Sequence, residues 1–126
     1  MTDTSKGIVK PVAELELHEV AAGTSASNQV LLGDADGMPN FAMRRFVMGA
    51  GGGMPLHTNS VEHEQYVLSG SARVKIGDET HTVKAHDAVY IPAGVPHSYD
   101  VVEAPFEFLC MVPNLPDAIE LVDEAD

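Results

Sequence analysis

Short β-rich runs closed by glycine set the shape of this chain before any chemistry is considered. Residues 30–32 run into Gly33-Asp34-Ala35-Asp36-Gly37, and residues 41–48 into Gly49-Ala50-Gly51-Gly52-Gly53. Residues 65–68 end at Ser69-Gly70, and runs at 72–76 and 80–83 flank Gly77-Asp78, a two-residue hairpin signal. Further runs follow at 88–91, 98–102 and 106–112. None carries the period of a long helix. Many short strands at close spacing predict an all-β sandwich or barrel. Residues 12–20 read as a strand or as a one-turn helix. Residues 117–126 hold five acids and no base, and read as a short helix or a frayed acidic tail. With no repeat or linker, the 126 residues predict one domain.

His57, His63 and His97 carry the chemistry. The first two lie between Gly53 and Gly70, and the third follows Ile91-Pro92-Ala93-Gly94-Val95-Pro96. Each reads as a strand residue beside a glycine turn. Imidazole is the commonest metal ligand near neutral pH, because it offers a lone pair with no charge to desolvate. Three imidazoles brought together leave open positions on a divalent ion for water or substrate. The Gly51-Gly52-Gly53 run is not a phosphate loop, since no Lys or Ser/Thr follows at that motif's spacing. It reads as the bend that leads into His57.

The spacing resembles the two motifs of the cupin family. With six residues between it and Gly70, His63 stands where most cupins carry glutamate. Asn59 falls at the second histidine of the first motif and His57 at the first. In the second motif Pro92, Gly94 and His97 match, while His86 replaces a glycine and Val101 an asparagine. Glu62-His63-Glu64 ahead of Tyr66-Val67-Leu68 is similar to a subgroup of small single-domain cupins in which a fourth histidine replaces the glutamate ligand. The resemblance extends to Met38-Pro39-Asn40-Phe41-Ala42-Met43-Arg44 and to Phe108-Leu109-Cys110-Met111-Val112-Pro113. It implies an all-β cupin double-stranded β-helix, a jelly-roll-like barrel of two antiparallel sheets. The domain would span 1–126, with a core of about 28–114 and an acidic tail at 115–126. It also implies one divalent metal ion per chain, with manganese or iron favoured and nickel, zinc or copper open. The ligands would be His57, His63 and His97, with Asn59 either coordinating through its amide oxygen or hydrogen-bonding a bound water. Small cupins commonly pair through edge strands, so a homodimer is expected.

Strand parity sharpens the pocket, because successive side chains alternate between faces. If His63 points inward, so do Gln65 and Val67, while Glu62, Glu64 and Tyr66 point out. Glu64 is therefore a weak ligand candidate. Tyr99 shares a face with His97, and Phe108 with Cys110. Arg44 shares one with Ala42, Phe46 and Met48, and Arg45 with Met43 and Val47. Parity does not choose between the arginines; the resemblance favours Arg44. Gln65, Tyr99 and Phe108 are expected to shape the pocket, with Arg44 orienting a negative oxygen or pairing with an acid elsewhere. Cys110 reads as a small buried apolar residue, and His18, His81 and His86 as surface histidines.

A formal net charge of -12 repels phosphate backbones and anionic headgroups, so nucleic acid and membrane are excluded as natural partners. No apolar tract is long enough to span a bilayer, and Met1-Thr2-Asp3-Thr4-Ser5-Lys6 lacks a signal peptide's apolar run. A single cysteine allows no intrachain disulfide. A cytoplasmic protein is expected. Three imidazoles and an amide leave a divalent ion's charge uncompensated, which calls for a small anionic or enolisable substrate. The first functional expectation is a dioxygenase-type oxidoreductase. The second uses the metal as a Lewis acid for isomerisation, decarboxylation, lyase or hydrolytic chemistry. The third is a small-ligand binding protein without catalysis.

Overall fold

The computed structural model describes residues 6–123. A 3-10 turn at Val12–Glu14 leads to β1 (His18–Glu19) and β2 (Thr24–Leu32). After a second such turn at Asp34–Asp36 come β3 (Phe41–Asn59), β4 (His63–Ile76), β5 (Glu79–Lys84), β6 (Ala88–Ile91), β7 (His97–Pro113) and β8 (Ile119–Leu121). Among the described residues no helix is long and apolar enough to cross a membrane.

All the strand pairings are antiparallel, and their registers resolve into two walls. The first runs β1, β2, the early half of β3, the late half of β7, the early half of β4, then β6. The second runs β8, the late half of β3, the early half of β7, the late half of β4, then β5. The three long strands thus bend and serve both walls, which makes the ladder continuous. Between the walls pack Met48, Val67, Val74, Ile91, Phe106 and Phe108, all essentially without exposure.

The bends explain where the sequence reading of the strands falls short. Gly49 to Gly53 does not end a strand. It forms a register break inside β3, between the pairs Met48↔Phe106 and Gly53↔Asp100. Opposite β2 the same stretch sets residues 49–52 against the single Ser25, and glycines let them bulge and redirect the strand without steric cost. Ser69-Gly70 is likewise a bulge within β4. Gly70 has φ 73, and a Cβ there would lie 2.3 Å from the Pro105 carbonyl oxygen and 2.4 Å from that of Glu103. The runs at 98–102 and 106–112 fuse into β7 across the region facing those bulges. The Gly77-Asp78 hairpin forms as expected, with Ile76 opposite Glu79.

Two further segments differ from expectation. Residues 12–20 are divided between the first 3-10 turn and the two-residue β1. The acidic segment is neither helix nor fray where it is described: β8 pairs with β3, setting Leu121 opposite His57 and Ile119 opposite Asn59. Residues 124–126 lie outside the described residues. A motif departure also finds its reason. His86, standing where the motif has glycine, adopts φ 76. Histidine is among the residues that enter the left-handed region more readily than most, and the Nδ1 of His86 lies 2.7 Å from the Tyr66 hydroxyl.

Candidate metal and substrate site

The second wall supplies His57 and Asn59 from β3, and His97 and Tyr99 from β7. Cross-strand register puts His57 directly opposite His97, so their side chains meet on one face, with ring centroids 4.2 Å apart. The first wall supplies Arg44 from β3, His63 and Gln65 from β4, and Phe108 from β7. All eight side chains line one cavity of about 70 Å³, to which β8 adds Ile119. The alternation is visible in the burial of β4: His63, Gln65 and Val67 are buried, whereas Glu64, Tyr66 and Leu68 are exposed. His18, His81 and His86 do not line the cavity.

Hydrogen bonds fix two of the imidazoles. His57 Nδ1 lies 2.7 Å from the Pro55 carbonyl oxygen, and His97 Nδ1 lies 2.9 Å from that of Val95. A carbonyl only accepts, so both Nδ1 atoms carry the proton and both Nε2 atoms keep a lone pair. His97 Nε2 is buried with no partner, as are both ring nitrogens of His63 and Oδ1 of Asn59. Burial lowers the pKa of His63 to about 4, with the Arg44 charge adding to the effect. Burial likewise lowers His97 to about 4, against the opposing bond from Val95. Both rings are therefore neutral near pH 7.

Unpartnered buried polar atoms are costly, at about 1–3 kcal/mol each, and call for a ligand or bound water. The donor set, neutral imidazole nitrogens with an amide oxygen, fits a divalent transition ion. Among the described residues no three His, Cys, Asp or Glu side chains already converge as a formed ligand cluster. The three histidines line one cavity without forming such a cluster.

A second polar group lies among the strands of the first wall. Arg44 donates through Nη2 to Cys110 Sγ at 3.4 Å, its Nε is buried without a partner, and its guanidinium sits 5.1 Å from the Phe46 ring centre. Among the described residues no carboxylate pairs with it. The acid-paired arginine is Arg45, which bonds Glu107 and Gln29. Gln65 donates through Nε2 to the Tyr99 hydroxyl at 2.7 Å. Burial raises the pKa of Tyr99, so the phenol stays protonated and keeps its own proton for an acceptor. Cys110 is fully buried, and burial also raises its thiol, in keeping with a packing role.

The C-terminal contribution is not legible in the local sequence. Asp117, expected to lie in a short helix or a frayed acidic tail, accepts a 3.0 Å hydrogen bond from Nδ2 of Asn59. Its position next to the site depends on β8 folding back onto β3, a long-range contact that composition does not encode.

Residues 44–112 match the cupin domain family. The chain belongs to the cupin family. Among solved structures it is similar to the polyketide cyclase RemF from Streptomyces resistomycificus, with 26% identity and a TM-score of 0.79 over 93% of this chain and 89% of that one. It is also similar to a cupin-2 domain protein from Rhodospirillum rubrum, with 30% identity and a TM-score of 0.74 over 89% of this chain and 78% of that one. A curated relative, mannose-1-phosphate guanylyltransferase 2 of Escherichia coli O157:H7, is 33% identical over 61 residues. That match spans 48% of this chain but only 13% of the enzyme. Cupin membership accounts for the two antiparallel walls.

Proposed function

We propose that this cupin is a metal-dependent enzyme acting on a small anionic or enolisable molecule held between the walls. The observation that carries the reading is the set of buried, unpartnered polar atoms of His63, His97 and Asn59 on one cavity. A divalent ion held by His57, His63 and His97, with Asn59 beside them, would supply Lewis acidity toward a developing enolate or carboxylate oxygen. The chain's own groups suit the same ligand. No Asp or Glu is among the cavity's lining residues, and Arg44 is the cation there. Its guanidinium offers charge-assisted hydrogen bonds to a negative oxygen. Tyr99, protonated and held by Gln65, is placed to donate to that oxygen or to the carbon it conjugates with. Phe46, Met48 and Phe108 give the substrate an apolar wall.

Enolate stabilisation is the first need of both the oxygen-dependent and the oxygen-independent chemistry expected from the sequence. The likeness to a polyketide cyclase favours the oxygen-independent branch, cyclisation, isomerisation or decarboxylation, as does a protonated phenol in the cavity. The dioxygenase branch is the second reading. The test is a panel of small β-dicarbonyl acids and phenolic polyketide fragments, offered to protein loaded separately with manganese, iron, cobalt or zinc. Enol absorbance and dissolved oxygen are followed together. Turnover without oxygen loss supports the first branch, and stoichiometric oxygen loss transfers the assignment to the second. Turnover that survives replacement of all three histidines by alanine sinks the metal reading.

A further inference from the structure

The cavity does not end at the residues that line it. Asn59 is 5% exposed, and its Oδ1 is buried with no partner. Its Nδ2 points the other way and donates to Asp117 Oδ2 at 3.0 Å. The two ends of a carboxamide differ in chemistry, and the neighbour decides which end faces it. A carboxylate only accepts, so the amide end turned toward Asp117 has to be the NH2. The carbonyl end is thereby committed to the cavity.

Asp117 is itself held firmly. Its Oδ1 accepts from the Ser60 backbone N–H at 3.0 Å and from Ser60 Oγ at 3.3 Å. The Ala118 N–H donates to Ser60 Oγ at 2.8 Å, and the Ser60 N–H also reaches the Ala118 carbonyl at 3.2 Å. Asn59 is fixed from its other side by its backbone carbonyl, which accepts from the Gly94 N–H at 2.8 Å. Immediately beyond the clamp, β8 pairs Ile119 with Asn59 and Leu121 with His57. One exposed carboxylate in the C-terminal segment therefore ties the β8 segment to β3 and orients an amide inside the barrel.

From this geometry we infer that Asp117 is a positioning residue: it acts through Asn59, holding the amide so that Oδ1 is presented to whatever occupies the cavity. Free in its orientation, Asn59 would offer NH2 to the cavity in part of the population, and an NH2 group neither ligates a cation nor accepts from a bound water. The class of ligand served is a cation or a hydrogen-bond donor. The orientation claim stands on the hydrogen bonds alone, and only its effect on a metal rests on the proposed function.

Two measurements on the full chain, stripped of metal by chelator, test it. In the first, the side-chain amide signals of Asn59 are followed by nuclear magnetic resonance. Protected, shifted amide protons are expected in the parent and in Ser60→Ala, and their loss in Asp117→Ala. Asp117→Asn retains an acceptor oxygen and is expected to restore them. Asn59 signals that ignore the removal of Asp117 overturn the inference. In the second, cobalt(II) affinity is measured for the parent, Asn59→Ala, Asp117→Ala and the double variant. Each single change is expected to weaken binding about tenfold, the low end of the range for groups that orient ligands. The double variant is expected to match Asn59→Ala, because Asp117 has nothing left to orient. A further tenfold loss in the double variant means that Asp117 acts through the fold, and overturns the role assigned here. Should the parent bind no cobalt, the metal reading falls, and the amide signals alone decide the orientation.

Discussion

Stripped of any bound metal, this protein should lose stability in acid at pH values above the ordinary carboxylate range. His63 and His97 are 6% and 1% exposed, and burial lowers both pKa values to about 4 from an ordinary 6.5. In the unfolded chain each takes up a proton near pH 6.5, while in the folded chain each stays neutral until about pH 4. The unfolded state therefore binds more protons throughout that interval, and stability falls as pH falls. Above the unfolded value the penalty vanishes. At about pH 5.5 each ring costs about 1.4 kcal/mol, one pH unit below its unfolded pKa at 1.36 kcal/mol per unit. The pair together removes about 3 kcal/mol between about pH 7.5 and 5.5, a large share of the 5–15 kcal/mol typical of a small domain. Urea unfolding of the chelator-stripped chain at several pH values in that range measures it. The double variant His63→Gln, His97→Gln should flatten most of the slope. A parent chain equally stable at both ends of the range, or a double variant with an undiminished slope, would refute the assignment of these rings as buried and neutral.

Three other outcomes follow from the geometry. Gly70→Ala should destabilise by about 2–3 kcal/mol in urea unfolding, since its Cβ meets two backbone carbonyls that cannot swing aside and its φ of 73 disfavours a side chain. Arg44→Gln should weaken a small carboxylate or enolate ligand about 10- to 100-fold by calorimetry, equivalent to the 1.5–3 kcal/mol of a charge-assisted hydrogen bond, with folding stability little changed. The chain should sediment as a homodimer at micromolar concentration, covering the exposed Phe41, Tyr66, Leu68 and Tyr90 on the outside of the first wall; a monomeric mass there refutes the pairing.

Local signals carried the fold a long way. Glycine runs, a hairpin dipeptide and motif spacing each depend on nearby residues, and they located the strands that gather His57, His63 and His97. They erred where strand continuity is decided by partners distant in sequence. Gly49 to Gly53 and Ser69-Gly70 look like terminators because glycine disfavours a strand, yet β7 pairs with β3 and β4 on either side of each bend. Alternation placed Gln65 with His63 and left Glu64 outside, but it had no means of choosing Arg44 over Arg45. That choice is made by Glu107 and Gln29, which claim Arg45 on the other face. Asp117 was illegible for the same reason: its partner, Asn59, lies 58 residues earlier in the chain.

The combination of Asn59 inside the cavity and Asp117 behind it makes one substitution unusually informative. An imidazole nitrogen is a better donor than an amide oxygen toward first-row transition ions. Asn59→His should therefore tighten manganese, iron or zinc binding, and Asp117 should strengthen the effect. A carboxylate behind a ligating imidazole accepts the proton of the second ring nitrogen, sets the tautomer and raises the basicity of the first. The new ring also takes up room in a cavity of only about 70 Å³. Tighter metal binding should accordingly come with lower native turnover. The bland account makes Asn59 a turn residue ahead of Ser60, and predicts a change in unfolding free energy with no change in metal affinity. Parallel titrations of the parent, Asn59→His, and Asn59→His with Asp117→Ala separate the two. A gain that shrinks when Asp117 is removed places the ion in front of residue 59 and the carboxylate behind it. A well-folded Asn59→His chain with the parent's affinity puts the ion elsewhere, and limits the role of Asn59 to the hydrogen bonds it already makes.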